Sequence, residues 1–208
     1  MDLSLPRCSA LWLVNLFLTA VLIGCGASRS YLVVDYRLPA SSQILKKQTV
    51  RLRVKDLRDS QKVFTVWAAE QFQGFKGRYR LDWISQNNVK TPAGEYDLKG
   101  LFRQTFHKRL QEMGATVVPD NQENVPVFEV VINRFVIDLK NHKWTADVSY
   151  EADLSRDSQL IARETVTGQA ERLKIIGSKG ADAMLSEIFT EIINRVDIRK
   201  LFEQAKLL

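Results

Sequence analysis

Alternating apolar and polar residues predict most of the strands of this chain. From Thr49 to Lys55 every second residue is apolar and the others are mostly basic, as in a strand with one face on a core. Trp144 to Leu154 alternates most cleanly, while Val127 to Lys140 changes phase between Ile132 and Phe135, which indicates a bulge. Gln159 to Arg172 follows after a short polar turn. Short connections force antiparallel neighbours, so the last three segments predict a meander.

Apolar residues at helical spacing predict two main helices. Leu98 to Met113 carries one apolar stripe, with Asp97 placed to cap its first turn and Gly114 placed to end it. A second stripe follows from Ala181 to Arg195, and Asp197 can cap a short last helix. Segregated strands and helices predict an α+β fold, an antiparallel sheet with the two main helices packed on one face.

The N-terminal apolar run is shorter than a membrane span. Ala10 to Ile23 is almost wholly apolar, and as a helix it would rise about 21 Å, against about 30 Å of hydrocarbon. A secretory signal fits this length better. Small polar residues then form a tether before Tyr31 to Leu38, which predicts either an edge strand or an extended arm.

The run closes with Leu22-Ile23-Gly24-Cys25, which resembles the lipobox of bacterial lipoproteins. The resemblance implies cleavage after Gly24 and acyl chains, such as palmitate, on Cys25. It also favours the outer membrane, because Gly26 rather than Asp follows the cysteine. Two or three acyl chains would anchor the protein stably, whereas one anchors only marginally. The alternative is a plain secretory signal in which Cys25 happens to lie near the cleavage site.

These patterns divide the chain into three parts. Residues 1–24 are predicted to be the signal peptide, residues 25–48 the lipidated cysteine, tether and arm, and residues 49–208 a single α+β domain. No structural disulfide is expected, because Cys8 lies in the signal and Cys25 would be acylated. The fold must therefore depend on packing.

The net charge of +6 narrows the partners only slightly. A basic surface can favour phosphate head groups, although a charge of this size is common in soluble domains. No dense cluster of Lys and Arg and no nucleic-acid-binding motif is present, so we expect no nucleic-acid partner. His107 and His142 are the only histidines, and neither has a partner at metal-ligand spacing. We therefore expect no metal, no cofactor and no catalytic centre.

Three carboxylates, Asp147, Glu151 and Asp153, share one face of the cleanest strand. Neighbours two residues apart lie nearly 7 Å apart, which overlaps the carboxylate separation of inverting glycosidases. An acidic stripe on an exposed sheet face is the simpler interpretation. Such a stripe can pair with the basic face of the strand from Thr49 to Lys55 if the two strands are neighbours.

An aromatic segment between Lys62 and Lys90 is the best candidate for a partner surface. Gly74 and Gly77 suggest a turn between two strands there. The aromatic residues could pack into the core as a hairpin, which is the favoured interpretation, or dock a partner protein or lipid. The candidate surface residues are Trp67, Phe72, Phe75, Tyr79 and Trp83.

The order of these parts resembles two families of small bacterial lipoproteins. A lipobox, a strand ending in Val54-Lys55-Asp56-Leu57-Arg58, an amphipathic helix, a meander and a C-terminal helix are similar to the YajG-like family. Tyr31-Leu32-Val33-Val34 near the anchor also resembles the opening of ABC-type transport auxiliary lipoproteins. The second resemblance implies a periplasmic accessory to transport, and neither implies catalytic residues.

The leading hypothesis is a non-catalytic lipoprotein of the outer membrane that faces the periplasm. It would hold the membrane through the lipid on Cys25 and bind an envelope protein or lipid as an adaptor or transport auxiliary. Two alternatives stay open: a glycan-acting hydrolase that uses the strand carboxylates, and a structural lipoprotein of an envelope assembly.

Overall fold

In the part of the chain that the structure describes, eight strands form two sheets, against which two long helices pack. The computed structural model describes residues 30–173 and 179–208. The strands are β1 (Tyr31–Arg37), β2 (Thr49–Asp56), β3 (Arg78–Ile84), β4 (Lys90–Tyr96), β5 (Thr116–Val118), β6 (Val127–Lys140), β7 (Lys143–Arg156) and β8 (Gln159–Leu173). The helices are α1 (Val66–Ala69), followed by a 3-10 turn (Glu70–Phe72), α2 (Leu98–Glu112), α3 (Lys179–Arg195) and α4 (Ile198–Gln204). The class is α+β, as predicted.

The larger sheet is mixed, so the prediction of a purely antiparallel meander is wrong. Its strand order is β5-β2-β6-β7-β8. The antiparallel pairing of β6, β7 and β8 confirms the predicted meander, and the register shift between Ile132 and Arg134 confirms the bulge. However, β2 lies parallel to both β5 and β6. The long connection from Leu57 to Pro126 allows parallel pairing, because it returns the chain to the same end of the sheet.

The smaller sheet has the order β1-β3-β4. Strand β1 is parallel to β3, and β3 is antiparallel to β4. The segment from Tyr31 is therefore an edge strand and not a free arm. On the opposite edge, β4 carries Pro92 and Gly94, which weaken the tendency of an exposed edge to pair with another chain.

Polar side chains of α3 bind the backbone of β1 along its outer edge. They recur every four residues of the helix and accept from every second backbone N–H of the strand. Four helical residues rise about 6 Å and two strand residues about 6.7 Å, so the two repeats match over this length. The bonds are Val33 N to Asp182 Oδ1 (3.0 Å), Asp35 N to Ser186 Oγ (2.9 Å) and Arg37 N to Thr190 Oγ1 (3.2 Å).

The two long helices contact different sets of strands, and the prediction that both pack on one sheet face is not confirmed. Helix α2 contacts β2 and β5 of the larger sheet and β3 and β4 of the smaller one, whereas α3 contacts β1, β7 and β8. Both helices contribute to one core, in which Phe102 lies with its ring centroid 5.7 Å from Tyr150 and 5.3 Å from Phe189. All three side chains are fully buried.

The predicted helix ends are confirmed by their hydrogen bonds. The Asp97 carboxylate accepts from Gly100 N at 2.7 Å, and the Asp197 carboxylate accepts from Lys200 N at 2.9 Å. Gly114 follows α2 with a φ of +92°, a conformation that favours glycine. Over the described ranges, 30–173 and 179–208, no helix is long and apolar enough to cross a membrane.

Candidate functional site

The predicted lipidation residues Leu22, Ile23, Gly24 and Cys25 lie outside the described residues. The described chain starts at Ser30, whose carbonyl accepts from Lys76 N at 3.0 Å. Lys76 lies in the loop just before β3, so the chain joins the domain beside this loop. We call this part of the domain the Ser30 end.

The aromatic segment does not form one candidate partner surface, because its members point to different environments, and core packing, the favoured interpretation, holds for two of them. Phe72 and Tyr79 are buried, and Phe75 and Trp83 are half-buried. The ring of Phe72 lies 5.4 Å from that of Trp144, and the ring of Tyr79 lies 6.0 Å from that of Phe135. Phe72 and Tyr79 are therefore core residues, and a partner surface cannot include them.

The predicted hairpin within the aromatic segment is also wrong. The chain forms α1 and a 3-10 turn before β3 instead of a first strand. A helical turn lets Phe72 stack on Phe64 with ring centroids 4.7 Å apart. Apolar and polar residues alternate clearly only from Tyr79 to Trp83, a segment that lies in β3. The residues before it show no such two-residue period.

Trp67 is the one predicted surface aromatic that is largely exposed. It is 62% exposed on α1, beside Val66 at 75%. A cleft of about 510 Å³ separates it from the β6–β7 turn, and Lys140 and His142 line the same cleft. We call these four residues, Val66, Trp67, Lys140 and His142, the Trp67 patch. It combines exposed apolar area with polar groups, as at an interface between water and an apolar phase, although Lys140 is paired with Asp138 and Glu70 also lines the cleft.

The strand carboxylates form ion pairs across the sheet surface. Arg163 of β8 binds Asp153 through two N–H groups at 2.7 Å each and lies 3.1 Å from Glu151. Arg134 of β6 donates to Asp147. The suggested pairing with the basic face of β2 is wrong, because β6 lies between β2 and β7. Such contacts are typical of ion pairs between neighbouring strands on a sheet surface. They provide no geometry that supports the hydrolase hypothesis.

A second cleft on this surface, of about 500 Å³, contains Asp138 beside Asp147. Burial would raise the pKa of Asp138, but hydrogen bonds from Thr65 and Lys140 outweigh it and hold the pKa below its ordinary value. An acid catalyst of a glycosidase needs a raised carboxyl pKa. The pKa of Asp138 is shifted in the opposite direction.

The two histidines lie apart from these groups. His107 is half-buried on α2, where burial and then the charge of Arg103 lower its pKa. His142 lies in the β6–β7 turn. Within the described part of the chain, no three His, Cys, Asp or Glu side chains are placed to hold a metal ion.

Asp56 and Arg58, from the motif that carries the family resemblance, form a two-pronged ion pair at the end of β2. Arg58 Nε lies 2.8 Å from Asp56 Oδ1, and Arg58 Nη2 lies 2.8 Å from Asp56 Oδ2. The Arg58 side chain is only 5% exposed. The hydrogen bond from Arg58 lowers the pKa of Asp56. In a continuous extended strand, side chains two residues apart would not pair in this way. The sequence could therefore predict this ion pair only if it showed that the strand ends between the two residues.

Comparison with solved structures identifies a shared fold. Protein XCC0632 from Xanthomonas campestris, of the family DUF330, is 13% identical with a TM-score of 0.51, over 85% of this chain and 99% of that one. A putative neuraminyllactose-binding hemagglutinin homolog from Helicobacter pylori is 7% identical with a TM-score of 0.46, over 85% and 98%. Lipoprotein GNA1162 from Neisseria meningitidis is 11% identical with a TM-score of 0.34, over 71% and 99%.

The first similarity shows that this chain has a fold found in a bacterial protein of family DUF330. The other two fall below a TM-score of 0.5 and support no conclusion about this chain. No family model matches the sequence, and no curated protein matches it. The resemblance to the YajG-like family is therefore not confirmed.

Proposed function

We propose that the protein is a lipoprotein of the bacterial cell envelope, anchored through acylated Cys25, whose domain is a non-catalytic binding module. In this proposal the anchor lies in the outer membrane, the domain faces the periplasm, and the Ser30 end lies against the lipid surface. An adaptor or transport-auxiliary role with an envelope partner, as the resemblance implies, is the finer form of the same proposal.

The observation that carries the proposal is the position of Ser30. Only five residues lie between Cys25 and Tyr31, and the six Cα-to-Cα steps between them can span at most roughly 20 Å. A lipid on Cys25 would therefore hold the Ser30 end close to the bilayer surface.

The Trp67 patch has the composition expected of a membrane-facing surface. The segment that carries Trp67 continues through Phe72 to Lys76, whose backbone binds Ser30. Tryptophan is favoured at the interface between lipid and water, because its ring is apolar and its N–H can stay hydrated. Lys140, whose side chain is 72% exposed, is paired with Asp138 at 3.0 Å, and Glu70 lines the same cleft, so the tryptophan ring carries the assignment. We therefore assign the patch to contact with membrane lipid.

Photocrosslinking tests this orientation in the full chain. A benzophenone amino acid replaces Trp67 in cells, and the same label replaces Leu160 as the control. Leu160 is 52% exposed beside the β7–β8 turn, at the other end of strands that span roughly 45 Å. We expect lipid adducts at position 67, several times more than at position 160. In a Cys25→Ala background the two positions should give equal, low yields.

Two results would contradict the proposal. Equal lipid yields at positions 67 and 160 in the wild-type chain would remove the membrane-facing orientation. A protein adduct at position 67, without lipid, would assign the patch to a protein partner instead.

A further inference from the structure

A cavity of about 310 Å³ lies where β2 ends, beside the starts of β3 and α2. It holds far more than one water molecule, whose share of liquid volume is about 30 Å³, and lies within the size range of small-ligand sites. Its walls combine apolar and polar groups. The residues that matter for its chemistry are Arg58, Val63, Gly77, Tyr79, Leu98 and Lys99.

Arg58, one of the residues that line this cavity, has a nitrogen without a hydrogen-bond partner in the described part of the chain. Its Nε and Nη2 bind Asp56, and Nη2 also reaches Gln61 Oε1 at 3.2 Å. Nη1 is buried and has no hydrogen-bond partner among residues 30–173 and 179–208. A guanidinium N–H can only donate, so the missing partner must be an acceptor.

Tyr79, which also lines the cavity, has a hydroxyl group that no described residue binds. The residue is fully buried, and its ring packs edge-on against Phe75 and Phe135. Its Oη forms no hydrogen bond with any residue that the structure describes. Burial strongly raises the pKa of this hydroxyl, so the group keeps its proton and can donate it in a hydrogen bond.

The carboxylates of the cavity do not complete these donors. Asp56 already accepts twice from Arg58, and Asp97 accepts from Gly100 N at the start of α2. Lys99 is exposed, and its charge helps to lower the pKa of Asp56. Two buried donors without acceptors are costly, at about 1–3 kcal/mol each, and such groups are rare in native proteins.

We propose that this cavity binds an anionic phosphate group, which accepts hydrogen bonds from Arg58 Nη1 and Tyr79 Oη while Lys99 lies at the mouth. Arginine offers phosphate strong, charge-assisted hydrogen bonds. Gly77 leaves room on the wall, because no atom of the described residues lies within 4 Å of the position a Cβ would take there.

Two sources could supply the phosphate, and the position of the cavity favours a phospholipid. Gly77 follows Lys76, whose backbone binds Ser30, so the cavity lies at the Ser30 end. Val63 and Leu98 offer apolar walls, and Leu57, next to Arg58, is 63% exposed. The phospholipid source rests on the proposed function, whereas binding of free phosphate does not depend on it.

Thermal unfolding of the purified full chain in mild detergent tests the site. The probes are inorganic phosphate and dihexanoyl phosphatidylglycerol below its micellar concentration, each against sodium chloride at equal ionic strength. We expect a saturable rise in Tm with both probes. Tighter binding of the lipid would identify a phospholipid site, and equal binding a site for free phosphate.

Tyr79→Phe is the decisive variant, because it removes only the unpaired hydroxyl. We expect its Tm without ligand to equal that of the wild type and its affinity for phosphate to fall by about tenfold, the loss of one hydrogen bond to a charged group. Tyr150→Phe is the matched control, since the Tyr150 hydroxyl donates to Ile192 O at 2.8 Å. It should keep the affinity and lose about 2–4 °C in Tm.

The proposal is overturned if neither probe raises the Tm beyond the sodium chloride control. It is also overturned if Tyr79→Phe binds phosphate as tightly as the wild type, because the hydroxyl then serves no ligand. Failure of photocrosslinking at position 67 with intact phosphate binding would reject the membrane orientation and keep the site.

Discussion

Replacing Arg109 by alanine is expected to lower the free energy of unfolding by about 3 kcal/mol. Arg109 is a buried residue of α2 whose guanidinium donates to carbonyl groups at the C-terminus of α3. Its Nη2 reaches Val196 O at 2.7 Å, and its Nη1 donates to Ile193 O. Burial lowers the pKa of Arg109, so this charge is costly to bury and is held by the carbonyl groups that it satisfies.

The loss has a definite physical origin. The last carbonyl groups of a helix have no partner within the helix, and at this end of α3 the core excludes water. Truncation leaves at least two of them unpaired and opens a cavity between the two long helices. Arg109→Lys should recover only part of the loss, because one ammonium group cannot form the same fork.

Denaturant unfolding of the purified chain measures this effect. Arg103→Ala is the matched control, because Arg103 is an exposed residue on the same helix, and it should change stability by less than about 0.5 kcal/mol. Equal stability of the Arg109→Ala and Arg103→Ala variants would show that Arg109 does not hold the end of α3.

Replacing Gly168 by alanine is expected to cost about 2 kcal/mol, within the range for overpacked cores. Gly168 lies in β8 beneath α3, where an added Cβ would lie 2.2 Å from Ile192 Cγ2 and 3.1 Å from Ile188 Cδ1. The contact is between a strand backbone and a branched side chain of a packed helix. The helix would have to move away from β8, although its polar side chains bind β1 on its other side.

A double-mutant cycle with Ile192→Ala tests the close approach directly. Ile192→Ala removes Cγ2, and alone it should cost about 2–5 kcal/mol because it empties a buried site. The double variant should be more stable than the sum of the two losses by about 1 kcal/mol or more, because the added methyl group then has room. Strict additivity of the two losses would show that the added Cβ does not meet Ile192.

Local patterns predicted the parts of the fold that local forces determine. The β6–β8 meander, its bulge, and the caps at Asp97 and Asp197 follow from alternation, short turns and side-chain acceptors at helix starts. The parallel pairing of β2 with β6 joins segments that are far apart in sequence, and alternation carries no information about such a partner. The same limit explains why two sheets were predicted as one.

The surface was less predictable, because an apolar side chain has the same sequence signal in a core and on a patch. Trp67 and Phe72 lie five residues apart, yet one is exposed and the other is buried against Trp144. One missed feature did have a signal. Asp182, Ser186 and Thr190 recur every four residues beside the apolar stripe of α3, and this polar repeat was available to predict a strand edge as its partner.

The intact mass of the protein extracted from membranes, with Cys25→Ala beside the wild type, tests the central claim most directly. The account predicts a mature wild-type chain that starts at Cys25 and is heavier by two or three acyl chains. The variant should lose this mass and leave the membrane fraction, because no acyl chain then anchors it. An unmodified wild-type chain, cleaved elsewhere or not cleaved, would contradict the anchor and with it the proposed membrane orientation.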